Sequence, residues 1–171
     1  PAAAVLPLVR GALSRAAERA GCARRWLLDL RATATALAVA NDQRLCDWAG
    51  RGVATPDHVI RTKAQPLVLP PAPPAEGPEA GPGLQAWAAQ LEGAMRGYVE
   101  GYQAYVQRQN SRVGGHKTPL DPLPRVIAIP GLGLVGVGAS AAAAAVTADI
   151  AEAWAQTLLA AEALGRFQPA G

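Results

Sequence analysis

Apolar residues near the start of the chain fall where one face of a helix would put them. Val5, Leu8, Val9, Leu13, Ala16, Ala17 and Ala20 recur at steps of three and four, and Gly21 follows as a stop. The spacing predicts a helix over roughly the first twenty residues. Trp26 to Leu30 is a short apolar run suited to a strand, and Ala36 to Val39 reads as a second. Asn41 then stands where an N-cap belongs, with Asp42 in the first turn. Leu45, Cys46 and Ala49 give the short helix that follows its inner face, and Gly50 and Gly52 end it.

Val53 to Lys63 reads as a polar loop entering a possible strand. Pro66 to Pro70 is a brief extended piece whose flanking prolines place it at a sheet edge or strand end. Residues 70–83 form a linker stiffened by proline, with too little to bury. The clearest periodicity comes next: Leu84, Ala88, Leu91, Met95, Tyr98, Tyr102 and Tyr105 share one face of a helix running from about Leu84 to Gln109. Asn110 to Pro124 is a polar loop. Arg125 to Ile129 is β-branched and apolar after its first residue, as in a strand buried on both faces of a parallel sheet. Pro130 to Gly138 reads as a glycine-rich turn. Ser140 caps a last helix striped by Val146, Ile150, Trp154 and Leu158 and ended by Gly165.

Together these elements predict an α/β fold, with helices packed on a small, mostly parallel sheet, one long amphipathic helix and a C-terminal helix. The organisation is residues 1–69, the linker 70–83 and residues 84–171, in one compact domain overall. The length of 171 residues fits that.

Half of the residues are apolar, enough for a core, but aromatics make up only 5%. Much of the apolar count is alanine, so the core rests on few large side chains. The net charge of +3 is a small excess of arginine without a cluster, which weighs against a nucleic-acid partner. No apolar run is long enough to cross a bilayer. Two cysteines, Cys22 and Cys46, make no disulfide framework, so a reducing, cytoplasmic setting is expected. The chain begins with Pro1, which fits a processed product or a piece of something longer.

Two segments carry candidate chemistry. Gly131, Gly133 and Gly136 form a G-x-G-x-x-G between an expected strand and an expected helix, where backbone amides can cradle a phosphate or nucleotide. The dinucleotide fingerprint also needs an acid at the end of a second strand, and here Asp149 and Glu152 fall inside a helix. The plainer reading is a turn that lets the last helix pack closely on the strand. Residues 55–63 gather Asp57, His58, Arg61 and Lys63. Arg61 and Lys63 supply charge for a phosphate or carboxylate, His58 a proton or hydrogen bond, and Asp57 can orient His58. In an extended segment Arg61 and Lys63 point to the same side. The plainer reading is a solvated loop tied down by Asp57. Cys22, Cys46, His58 and His116 lack the close pairing of a zinc site, so no metal is expected on this chain.

Three pieces resemble a known family: residues 54–63, the tyrosine-bearing stretch 98–109 and residues 124–136, closed by Ala163 to Phe167. They are similar to the middle of the bifunctional class II aldolase/short-chain dehydrogenase family, which includes rhamnulose-phosphate aldolase/lactaldehyde dehydrogenase-like proteins. The resemblance implies an upstream aldolase half with zinc on an H-x-H pair and a later His. It also implies a downstream NAD-dependent dehydrogenase half with a Y-x-x-x-K pair. This sequence has no H-x-H, and no tyrosine is followed four residues later by lysine. The family's catalytic residues therefore transfer to no position here. The resemblance implies a non-catalytic connecting module, a fragment of a longer enzyme. Its partners would be the flanking aldolase and dehydrogenase domains, or a second copy through the long helix, with zinc and NAD held outside this chain. A stand-alone protein binding phosphate or nucleotide at Gly131 to Gly138 is the alternative.

Overall fold

The computed structural model describes residues 1–74 and 80–169, and the side chains of Asp57 and Ala80 lie outside that description. The linker residues 75–79 are therefore not described. Helix α1 (Ala2–Arg19) buries Val5, Val9, Leu13 and Ala16 along the predicted stripe. It closes with two bonds in which the Cys22 amide donates to the Ala17 carbonyl and the Gly21 amide to that of Glu18. That closure needs a left-handed residue, and Gly21 supplies it at φ +67°. Strand β1 (Leu27–Arg31) follows.

Residues 34–40 are the first departure from expectation: they form helix α2 (Ala34–Ala40), not a strand. A short apolar run fits either element by pattern. Here alanine's helix propensity decides, with Thr33 accepting a hydrogen bond from the Ala36 amide as N-cap. Asn41 is then the C-cap of α2 rather than an N-cap, and α3 (Leu45–Arg51) starts from Arg44 and ends at Gly52. The expected loop at 53–63 contains helix α4 (Pro56–Thr62), with Thr55 at its N-cap position and Pro56 pre-set for the first turn.

Strand β2 (Leu67–Val68), helix α5 (Ala80–Arg112), β3 (Val126–Ile129), β4 (Gly133–Gly138) and α6 (Ala141–Leu164) complete the chain. The sheet order is β1-β4-β3-β2. β2 lies at an edge and runs parallel to β3, with α5 in the crossover between them. The other two pairs are antiparallel, so the class is α/β but the sheet is mixed rather than mostly parallel. The cause is the segment read as a glycine-rich turn. Only residues 130–132 turn, and a connection that short can join only antiparallel neighbours. Gly133 to Gly138 is a strand between β1 and β3.

Each face of the sheet has its own core. Val135 and Val137 of β4 join Ile127, Ile129 and Trp26 under α1 and α5, where Trp87, Leu91 and Met95 are buried. Leu134, Val126 and Ala128 face α2, α3 and α6, with Trp48, Trp154 and Leu158. Gly136 and Gly138 of β4 belong to this second face. A β-carbon on Gly136 would stand 2.5 Å from the Ala148 nitrogen and 2.8 Å from its Cα, so α6 lies directly on the strand. The inner stripe of α6 is accordingly small: Ala144, Thr147, Ala148, Ala151 and Ala155 beside Trp154 and Leu158. Val146, expected in that stripe, is exposed. Ser140 and Gly165 cap the helix as expected, Ser140 accepting from the Ala143 amide at 3.1 Å. Beyond Tyr98, α5 is largely exposed. No helix among the described residues is long and apolar enough to cross a membrane.

Candidate functional site

Helix α4 separates the residues that an extended segment would have aligned. Lys63 turns under α5, Arg61 faces the start of α6, and His58 is half-buried and lines neither recess. The side chain of Asp57 lies outside the described residues.

Lys63 ends α4 at φ +64°, ψ 177°, and is the one non-glycine residue with positive φ among the described residues. Side chains are strained there by about 1–3 kcal/mol, and such conformations persist only where the surroundings enforce them. The surroundings are visible. The Lys63 side chain is 3% exposed, its Nζ donates to the Asp121 carbonyl, and it lies 3.9 Å from the Tyr102 ring centre. The Asp121 carboxylate is 3.9 Å away and is itself held by Arg125 at 2.5 Å. Burial, with the Arg125 charge adding to it, lowers the Lys63 amine to about 7 against the pull of Asp121. Burial also pushes the Asp121 carboxyl up, but the hydrogen bond and charge of Arg125, with Lys63, outweigh it and hold it below its ordinary value. Tyr98, raised by burial, donates its hydroxyl to the Gln65 carbonyl at 3.0 Å.

Lys63, Tyr98 and Tyr102 line a groove of about 360 Å³ with Tyr105, Arg108 and Leu120. An amine at its midpoint near neutral pH can give or take a proton, and the tyrosine rings offer apolar faces with hydroxyl ends. The sequence flagged Lys63 and the tyrosines but missed Asp121. The available signal was Asp121 four residues before Arg125, at the end of a loop rich in proline.

Arg61 lies on the opposite side of α4, in a cleft with Arg24, Trp26, Arg125 and the first turn of α6. The three predicted glycines are elsewhere. Gly131 sits at the hairpin turn, its amide donating to Asn41 Oδ1 at 2.7 Å. Gly133 and Gly136 are in β4, Gly133 paired with Ile129 of β3 and Gly136 paired on both sides.

The whole chain is covered by one family: residues 1–170 match the second domain of class II aldolases. The chain belongs to that family. Similarity extends to the uncharacterized oxidoreductase YuxG of Bacillus subtilis (strain 168), 27% identical over 165 residues. That alignment covers 96% of this chain and 22% of YuxG, so the chain spans under a quarter of its relative's length.

Two groups implied by the resemblance do not fit the residues of this aldolase second domain. No three His, Cys, Asp or Glu side chains among the described residues gather as a metal site, Cys22 and Cys46 included. The G-x-G-x-x-G does not open a helix, and its third glycine is covered by α6, leaving no backbone cradle for a pyrophosphate.

Proposed function

We propose that this class II aldolase second domain is the connecting module, on the aldolase side, of a bifunctional enzyme. The enzyme would cleave a sugar phosphate of the rhamnulose-phosphate kind and oxidise an aldehyde with NAD, in the cytoplasm. The observation that carries this reading is the family match over residues 1–170 beside a relative, named as an oxidoreductase, that is several times longer. The missing H-x-H and Y-x-x-x-K motifs support placing zinc, NAD and both reactions in the flanking domains. The exposed outer half of α5, with Tyr105, and the apolar Val113 and Leu120 beyond it offer a surface for those domains.

Two preparations test the proposal: the intact protein encoded around this segment, and the 171-residue chain alone. The intact protein is expected to split a ketose 1-phosphate and to reduce NAD with an aldehyde, while the chain alone does neither. Turnover by the chain alone, or an intact protein with neither activity, overturns it.

A further inference from the structure

We propose that the cleft between α4 and the start of α6 binds an organic phosphomonoester, with its phosphate on Arg24, Arg61 and Arg125 and its carbon body against Ile60 and Val146. The cleft holds about 350 Å³, the size of a small-ligand site. Its guanidiniums come from three separate places: Arg24 before β1, Arg61 on α4 and Arg125 at the foot of β3. Arg125 is partly neutralised by Asp121. Arg24 has no carboxylate at ion-pair distance among the described residues, and no carboxylate lines the cleft. Like charges brought together this way repel, and a shared anion relieves them.

The start of α6 adds to this field. The helix is 24 residues long and has no acidic residue in its first turn. Ser140 caps the Ala143 amide, and the amides of Ala141 and Ala142 precede it at the positive end of the dipole. Trp26 lies beneath two of the arginines. It lines the cleft and is 2% exposed, and its indole Nε1 has no hydrogen-bond partner among the described residues. The Arg24 and Arg125 guanidiniums lie 5.4 Å and 4.9 Å from its ring centre.

A phosphate dianion has three terminal oxygens for such forked donors, which a carboxylate lacks. The wall beside the arginines is apolar: Ile60 is 73% and Val146 46% exposed. Solvent-facing side chains of that kind favour a phosphate carrying carbon over the inorganic ion. The site uses only this chain's residues, and its test reads binding rather than turnover. Its failure is therefore separable from that of the bifunctional-enzyme reading.

The test uses the intact protein labelled with 5-fluorotryptophan, with the Trp26 fluorine resonance assigned by Trp26→Phe. Glycerol 3-phosphate, inorganic phosphate, acetate and glycerol are titrated at constant ionic strength set with sodium chloride. Glycerol 3-phosphate should give a saturating shift and inorganic phosphate a weaker one, with none from glycerol or acetate. The double variant Arg24→Gln/Arg61→Gln should weaken binding by about tenfold or more. Ala142→Glu, an acid that suits a helix start but occupies the cleft, should remove binding while the fold stays intact. A shift that never saturates, equal binding of acetate, or unchanged affinity in either variant overturns the proposal.

Discussion

Replacing Gly136 by alanine adds one carbon where the backbone of α6 already stands. That carbon would meet the Ala148 nitrogen at 2.5 Å and its Cα at 2.8 Å. Comfortable carbon contacts begin near 3.5 Å, so helix and strand must part by about 1 Å. The obstructing atoms are backbone, and no side-chain rotation clears them. Moving α6 also loosens Trp154 and Leu158, which pack in one core with Val126 and Leu134. Overpacking of this kind costs about 1–3 kcal/mol, and the rigid contacts point to the upper end. In a chain of this size that lowers the melting temperature by about 6–12 °C. Gly97→Ala in α5 is the matched control, because a β-carbon there meets nothing within 4 Å. It should stabilise by about 0.5–1 kcal/mol through helix propensity alone. Urea unfolding and calorimetry on both variants decide the matter. A Gly136→Ala protein within about 0.5 kcal/mol of its parent would refute the close-packing account.

Lys63 makes stability depend on pH. Its folded value of about 7 lies below the ordinary 10.5, so between the two the unfolded chain binds the extra proton and stability rises with pH. Urea midpoints measured from about pH 6 to pH 10 should climb in the parent relative to Lys63→Met, which keeps the length and loses the charge; parallel curves would contradict this. Ser140→Ala should cost about 1 kcal/mol in chemical denaturation by uncapping the Ala143 amide. Trp154→Phe removes a buried bond from the indole to the Gly52 carbonyl at 3.2 Å, and should cost about 1–3 kcal/mol in the same assay.

Where periodicity met capping residues, the fold was legible. The stripe of α1 with Gly21, the β-branched run of β3 and the Ser140 and Gly165 ends of α6 were all readable one residue at a time. Alanine defeated the same method. In α2 it blurred the helix and strand periods, and in α6 a helix apolar on every side hid which face was inward. The strand β4 was hidden by its own glycines, of which Gly136 and Gly138 serve the close approach of α6 rather than a turn. Within the site, Lys63 and Arg61 were visible as charges, but their divergence depended on α4 being helical. That was signalled by Thr55 and Pro56. The burial of Lys63 was not readable, because the groups that enclose it, Tyr102 and Asp121, lie far along the chain.

The order of the strands sets a schedule for synthesis. β1 pairs only with β4, about a hundred residues later in the chain. At about 5–20 residues per second, β1 waits on the order of 5–20 s for its partner to be made. α1, β1 and β2 leave the ribosome in that interval with apolar faces and open edges; α5 can cover α1 once it is made, but the edges of β1 and β2 wait for β4 and β3. β1 therefore joins the sheet late, and a ribosome stalled before Gly133 would hold it with no strand to pair.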